Sequence, residues 1–278
     1  MKLPWVSAAL GELENALARG RVPHALLVAW PSGWGGEALV GEICAMLLEE
    51  AGPFSPERVH PETFWLAPDG VEIKVDDLRQ LTSWAVTRPL AAPRKVANLM
   101  QAHRMNANAA NALLKTLEEP AAETYLVLQT ESLARLLPTV RSRCQQVPLA
   151  ARPADAEAWL QEQHPQATDY LAECGGGPLD ALALAESEEP RVSQLIAGLG
   201  EDSAALERFA DGDLVDRLGR WYRVLIQELA QSPSSRQPLL AFADELLDTR
   251  RQIDRSNAAN ARLLMERLAY RWSRLRGL

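Results

Sequence analysis

The sequence predicts an α/β domain built on a mainly parallel sheet, followed by a small acidic helical domain and a terminal helical bundle. Over residues 1–150, short apolar runs alternate with longer helical patterns, which is typical of βα units. After Pro148 the strand-like runs stop, and the later segments have helical periodicity. The chain has 278 residues, which suits two domains or three small ones at roughly 100–200 residues each.

Short apolar runs are the candidate strands, and longer segments with a 3.6-residue period are the candidate helices. The strands are expected at 25–29, 63–67, 95–100, 125–129 and 145–149. The helices of the same region are expected at 5–18, 36–51, 75–87, 106–119 and 131–137. The helix at 36–51 should end at the Gly52-Pro53 pair, because both residues oppose helix continuation.

Changes in pattern divide the chain into three expected domains, 1–149, 150–202 and 203–278. The middle domain reads as three short helices, with a start at Pro153 and a turn at the triple glycine 175–177. The last domain is strongly amphipathic throughout. Near its end, the apolar residues that recur at helical spacing are Leu263, Leu264, Leu268 and Trp272.

Composition excludes several classes of protein. The net charge of −8 argues against strong, non-specific DNA binding, because that affinity comes from phosphate neutralisation. The charge is uneven: residues 151–205 carry 2 basic and 11 acidic groups, whereas all 13 basic residues of 206–278 are arginine. Three scattered cysteines offer no disulfide framework, and no apolar stretch is long enough to span a membrane. We expect a cytoplasmic protein whose N-terminus is an amphipathic helix.

The stretch "LLVAWPSGWGGEALVGEI" (26–43) has the outline of a phosphate-binding loop between a strand and a helix. Aligned with G-x-x-x-x-G-K-[ST], it has Trp30 at the first glycine, Gly35 at the second, Gly36 at the lysine and Glu37 at the hydroxyl position, with Gly33 between them. The cation is missing, and a carboxylate would repel the anion by roughly 1–4 kcal/mol at 4 Å. The loop is therefore a degenerate nucleotide site or only a glycine-rich turn.

The second half of an ATPase site is altered as well. A magnesium-organising carboxylate and a water-activating carboxylate normally end a later strand of such a sheet. In "KVANLMQAHRM", Met100 and Gln101 stand at that place. Neither side chain can perform the chemistry. His103 follows without an accompanying nucleophile, so a surface or interface role suits it better than that of a base.

Three later stretches resemble the clamp-loader family of AAA+ ATPases. They are "NANAANALLKTLEEP" (106–120), "TYLVLQTES" (124–132) and "LLPTVRSRCQQVPL" (136–149). The pairing of "NALLKTLEEP" with "RSRC" about twenty residues later is highly specific to these subunits. The opening segment and the C-terminal "NARLLMERLAYRW" resemble the same family, so the resemblance spans nearly the whole chain.

The resemblance implies a RecA-like AAA+ domain with a parallel sheet, a helical lid domain and an all-α collar domain for oligomerisation. It implies a five-membered ring with motor subunits (gamma/tau) and a delta subunit, which loads a sliding clamp onto primed DNA during replication. Some members of such rings are not ATPases. In these the motif Ser142, Arg143 and Cys144 reaches the neighbour's ATP site, with Arg143 as a trans-acting arginine finger. Arg141 is the competing candidate, and an ordinary surface ion pair is the bland alternative.

Departures from the family pattern bear on cofactors. The segment "LLEEAGPFSPERVHPETF" lacks the cysteines of the family's zinc module, so we expect no zinc. Leu179 and Asp180 open the lid helix without the nucleotide-sensing arginine, and Thr130 sits at a sensor position with nothing to sense. On the motif helix, Asn111 and Lys115 could contact DNA or a neighbouring subunit, but a solvated lysine is the commoner outcome.

We therefore expect a non-catalytic subunit of a replicative DNA polymerase holoenzyme, without ATP hydrolysis of its own. Two other classes stay open at this point. One is a self-sufficient P-loop ATPase, which the substitutions in both half-sites oppose. The other is a stand-alone nucleic-acid-binding regulator, which the acidic charge opposes.

Overall fold

The computed structural model describes residues 3–199, 203–231, 236–255 and 258–276. The chain forms two compact units, Met1–Asp155 and Ala156–Leu278. The first unit is an α/β domain and the second is helical throughout its described residues, as the sequence predicts. The sequence also predicts a domain boundary between residues 202 and 203. Residues 200–202 lie outside the described residues, so this boundary stays a prediction.

The first unit is built on five parallel strands, and all five were predicted from their apolar runs. The strands are β1 Ala25–Ala29, β2 Thr63–Leu66, β3 Lys95–Leu99, β4 Thr124–Thr130 and β5 Gln145–Pro148. Their order across the sheet is β2-β3-β4-β1-β5. β1 therefore lies between β4 and β5, with Ala29 paired to Thr130 on one side and to Pro148 on the other. This pairing brings the ends of β1 and β4 to one edge of the sheet.

Helices cover this sheet, and the first four lie close to their predicted positions. They are α1 Pro4–Ala18, α2 Gly36–Leu48, α3 Val75–Ala85, α4 Ala107–Glu118 and α5 Pro138–Arg141. α2 ends three residues earlier than predicted, because Glu49 takes a left-handed conformation with φ 59°. Asn106 caps α4 by accepting a hydrogen bond from the N–H of Ala109 at 2.9 Å.

The predicted helix at 131–137 is wrong. Only a short 3-10 turn, Leu133–Arg135, forms there, and the next helix, α5, begins at Pro138. The reason is local, since a proline disfavours the helical conformation of the residue before it. Leu137 accordingly has ψ 134°, and Pro138 becomes the first residue of the new helix.

Apolar side chains from the strands, α3 and α4 form the core of the first unit. Residues such as Leu27, Leu99 and Leu128 are completely buried there. Because both faces of a parallel sheet are covered by helices, its strands read as continuous apolar runs, which is why they could be recognised from sequence. Polar residues at the ends of these strands are consequently held on a rigid frame.

The second unit contains the remaining helices. Their bounds are α6 Pro153–Gln163, which begins in the first unit, α7 Pro178–Glu186, α8 Val192–Ala197, α9 Ser203–Ala210, α10 Leu214–Gln231, α11 Arg236–Arg255 and α12 Ala258–Arg276. Trp221 on α10 lies at the centre of an aromatic cluster, with ring centroids 5.3–5.4 Å from those of Phe209, Phe242 and Trp272. None of the described helices combines the length and apolar character that a membrane span requires.

The predicted apolar stripe of α12 needs one correction. Leu268 and Trp272 are buried as expected, whereas Leu263 is 68% exposed. Met265 is buried in its place, because a residue three positions before Leu268 shares its helical face better than one five positions before it.

Candidate functional site

The glycine loop joins β1 to α2 in the geometry that its sequence predicts. Gly33 and Gly35 have φ of 75° and 69°, a left-handed conformation that glycine adopts without steric cost. Gly35 is also the N-cap of α2, so the loop ends at the helix N-terminus. In a nucleotide-binding protein this arrangement points backbone N–H groups at a phosphate.

The Trp30 side chain covers this loop. Its indole is 6% exposed, and its backbone N–H donates to the carbonyl of Thr130 at 3.2 Å. A Cβ atom placed on Gly36 would lie 1.8 Å from Cδ2 of the indole ring. The ring therefore occupies the space from which a side chain at the lysine position of the loop would project, and only glycine fits beside it.

Two further tryptophans pack at the same loop, and the sequence reasoning missed both. Trp5 of α1 donates a hydrogen bond from its indole Nε1–H to the carbonyl of Trp34 at 2.8 Å. Their rings meet edge to face with centroids 5.0 Å apart, and Trp34 is 3% exposed. The N-terminal helix is thereby fixed to the glycine loop by an aromatic contact.

The candidate residues at the strand ends do come together. A small cavity of about 60 Å³ is lined by Trp30, Glu37, Met100, Gln101, Gln129, Thr130 and Glu131. Pockets that bind drug-sized ligands measure roughly 300–1,000 Å³, so this cavity is small beside them. Gln129 was missed from sequence: it is 3% exposed, and its Nε2 has no hydrogen-bond partner among the described residues. Only the strand alternation of "YLVLQT" could have pointed to it.

Thr130, at the sensor position, is already engaged. Its hydroxyl accepts a hydrogen bond from the N–H of Ser132 at 3.0 Å, and it lies 3.0 Å from Nδ1 of His103. Desolvation, together with the charges of Arg135 and Arg104, lowers the pKa of His103. The imidazole is therefore held in its neutral form, as one partner of a structural hydrogen bond.

The Ser142, Arg143 and Cys144 motif follows α5 directly. The Arg143 Nε–H donates to Oε1 of Glu118 at 2.7 Å, and its Nη2 lies 2.6 Å from the same oxygen. Its Nη1–H donates to the carbonyl of Thr139 at 3.0 Å. Despite these contacts the side chain is 36% exposed. Ser142 is exposed, and its Oγ–H also donates to the Thr139 carbonyl.

Cys144 anchors the motif from the other side. Its side chain is partly buried against the core of the first unit, and burial raises the pKa of its thiol to about 11. A thiol held in its protonated form is a poor nucleophile. The alternation of exposed Arg143 and packed Cys144 keeps the guanidinium on the outside of the domain.

Comparison with known proteins identifies the family. A family model described as "DNA polymerase III, delta subunit" matches residues 6–153. The chain is 31% identical to DNA polymerase III subunit delta' of Pseudomonas aeruginosa, with 99% of this chain and 98% of that protein covered. The chain belongs to the delta-prime family of the bacterial DNA polymerase III clamp loader.

More distant likenesses agree with this membership. The gamma/tau subunit of DNA polymerase III from Mycobacterium bovis is 29% identical over 70% of this chain and 37% of its own length. A DNA polymerase III gamma subunit-related protein from Thermotoga maritima superposes with a TM-score of 0.57 at 21% identity, over 96% of this chain and 99% of its own. At that identity the likeness shows the AAA+ fold alone.

The remaining candidate residues of this delta-prime chain lie on α4 and α7. Asn111 and Lys115 are exposed on α4, and Leu179 and Asp180 stand at the start of α7 in the second unit. Within the described residues no group of three or more histidine, cysteine, aspartate or glutamate side chains is arranged to hold a metal ion. Cys44 is buried, with its pKa raised to about 12 by burial. The absence of zinc stays a prediction.

The contact between Trp30 and Gly36 makes a stability prediction. Gly36→Ala should destabilise the first unit by about 1–3 kcal/mol, because its new methyl group would overlap a buried indole. Gly11→Ala is the matched control, since no atom lies within 4 Å of a Cβ at this α1 position. That exchange should be stabilising by about 0.5–1 kcal/mol. Urea unfolding of both variants measures the difference, and equal stabilities would contradict the assigned position of Trp30.

Proposed function

We propose that this subunit does not turn over ATP itself and that it completes the ATP site of a neighbouring gamma/tau-type motor subunit. Its place would be in a ring with motor subunits and a delta subunit, which loads the sliding clamp onto primed DNA. Membership of the delta-prime family supports the clamp-loader role. The residues of the glycine loop support the absence of ATP turnover by this chain, and the arginine motif supports its contribution to the neighbour's site.

The observation that carries the first half of the proposal is the indole beside Gly36. The usual loop lysine neutralises phosphate charge, and here a neutral ring fills the place from which it would extend. Glu37 adds a negative charge in the first turn of α2. The helix dipole stabilises this carboxylate, which would repel a phosphate group approaching the same helix end. Met100 and Gln101 offer no carboxylate to organise magnesium.

The second half rests on Arg143. A guanidinium is permanently charged and forked, which suits the charge that develops on γ-phosphate oxygens during hydrolysis. Arg143 is partly exposed at the surface of the first unit, and its backbone is anchored by the packed Cys144. An arginine that must reach a site on another subunit has to be exposed in the isolated chain. Exchanging it for alanine in the assembled complex is the direct test.

A binding measurement tests the first half separately. We expect the purified chain to show no saturable binding of Mg-ATP up to about 1 mM, a limit that corresponds to about −4 kcal/mol of binding free energy. Titration calorimetry measures this, with the cognate gamma/tau motor subunit as the positive control under the same conditions. Saturable binding by this chain within that range would contradict the assignment of a degenerate loop.

A further inference from the structure

Glu118, the last residue of α4, holds Arg143 by two contacts to a single carboxylate oxygen. Nε and Nη2 of the guanidinium lie 2.7 and 2.6 Å from Oε1. The carbonyl of Thr139 accepts a hydrogen bond from Nη1 at 3.0 Å. The guanidinium is therefore held between the C-terminal end of α4 and the backbone of α5, two elements of the same rigid unit.

These contacts leave part of the guanidinium available. Arginine has five N–H donors. Two of them donate hydrogen bonds here, from Nε and from Nη1, and Nη2 contacts the Glu118 oxygen as part of the ion pair. One hydrogen on Nη1 and one on Nη2 have no partner among the described residues, and the side chain is 36% exposed. Two neighbouring N–H groups of this kind form the fork that binds phosphate oxygens in a bidentate manner. Holding one edge of the guanidinium thus leaves another edge for a ligand.

The ion pair contributes little to stability, because both partners are substantially exposed, at 36% and 51%. Its main physical effect is on orientation. An unrestrained arginine samples many rotamers, and ordering it in each catalytic cycle would oppose binding of the transition state. A guanidinium that is already ordered avoids this loss, as a preorganised catalytic group does.

We propose that Glu118 is a positioning residue that preorganises Arg143 for the neighbouring subunit's ATP site. This inference rests on the proposed function of Arg143, and it assigns a role to a residue that the arginine motif itself does not contain. Glu118 acts through Arg143 and does not contact the nucleotide.

Glu118→Ala should lower the kcat of ATP hydrolysis by the assembled complex about tenfold, with the KM for ATP nearly unchanged. Glu119→Ala is the matched control, since it removes the same charge from the adjacent exposed residue and should leave kcat unchanged. Glu118→Gln should retain most of the activity, because its amide oxygen can still accept the hydrogen bond from Nε. In an Arg143→Ala background, Glu118→Ala should cause no further loss.

The outcomes separate the two proposals. Loss of hydrolysis in Arg143→Ala with unchanged hydrolysis in Glu118→Ala would overturn the positioning role alone. Unchanged hydrolysis in Arg143→Ala would overturn the finger and, with it, the role of Glu118. A readout without ATP is the NMR signal of the Arg143 Nε–H group in the isolated chain. It should be protected from exchange in wild type and in Glu119→Ala, and exchange rapidly in Glu118→Ala.

Discussion

Replacing Arg220 with methionine is expected to destabilise the second unit by about 3–5 kcal/mol, because a buried carboxylate loses its cation. Glu173 is 1% exposed, and Arg220 is 2% exposed. Nη1 of Arg220 lies 3.8 Å from Oε2 of Glu173, while Oε1 accepts hydrogen bonds from the N–H and Oγ–H of Ser193. Methionine would keep the apolar stem but leave Glu173 without this partner.

Arg220 also belongs to a wider network on α10. It lies 3.1 Å from Glu189 and 2.8 Å from Asp216, and Arg217 reaches Glu189 at 2.7 Å. Burial acts to raise the pKa of Glu189, but hydrogen bonds and charges from the two arginines outweigh it and lower the pKa overall. Glu189 is therefore ionised at neutral pH, and it faces the guanidinium groups of Arg217 and Arg220.

Urea unfolding followed by circular dichroism measures the Arg220→Met effect, and hydrogen exchange of the α10 amides assigns it to the second unit. Arg251→Met is the matched control, because its pair with Asp248 is exposed and is worth at most about 0.5 kcal/mol. Adding Glu173→Gln to Arg220→Met should recover part of the loss. A loss no larger than that of the control would contradict a stabilising role for the network.

The network links two segments that the sequence analysis assigns to different domains. Glu173 and Glu189 fall in the segment expected to be a lid, and Arg220 falls in the expected collar. Buried charges join the two segments, and both lie in the second compact unit. Charge counts along the chain show only that the expected lid segment is acidic and that the expected collar segment is rich in arginine. They cannot show that the two signs are paired in space.

Much of the first unit could be predicted because its signals are local. The strands are continuous apolar runs, and the ends of adjacent parallel strands must meet at one edge of the sheet. Glu37, Met100 and Thr130, each assigned from sequence to a part of a nucleotide site, line one cavity. The one missed break, at Leu137, depended on a single proline whose effect on its predecessor outweighed the helical pattern.

Contacts between distant residues could not be predicted in the same way. Trp5 and Trp34 are 29 positions apart, and the hydrogen bond between them exists only because α1 packs against α2. Glu118 and Arg143 are 25 positions apart and meet where α4 ends beside α5. The sequence analysis identified Trp30 only as a bulky residue in the loop. The packing of its indole against Gly36 depends on the rotamer of that one side chain, which the sequence does not reveal.

Replacing Arg143 with alanine is expected to slow ATP hydrolysis at the neighbouring motor site by about 10³-fold or more, the range found for trans-acting arginine fingers. The reason is electrostatic, since the guanidinium would stabilise charge on the γ-phosphate that water alone stabilises poorly. Arg143→Lys should restore little, because an ammonium group cannot bind two phosphate oxygens in the same forked geometry.

Arg141→Ala is the matched control for this exchange. Arg141 ends α5 two residues earlier, is exposed, and carries the same charge. Its side chain has no hydrogen-bond or ion-pair partner among the described residues, so its removal should not disturb the fold. A loss of hydrolysis in Arg141→Ala with normal hydrolysis in Arg143→Ala would transfer the finger role to Arg141.

The central claim is that this delta-prime chain completes the ATP site of another subunit. Its most direct test is phosphate release by the complex assembled from wild-type, Arg143→Ala or Arg141→Ala chain with the cognate motor and delta subunits. The assay contains the sliding clamp and primed DNA, and gel filtration verifies that each complex is intact. We predict a sharp loss of stimulated hydrolysis for Arg143→Ala alone. Unchanged hydrolysis by an intact Arg143→Ala complex would contradict the claim and leave this subunit as a scaffold.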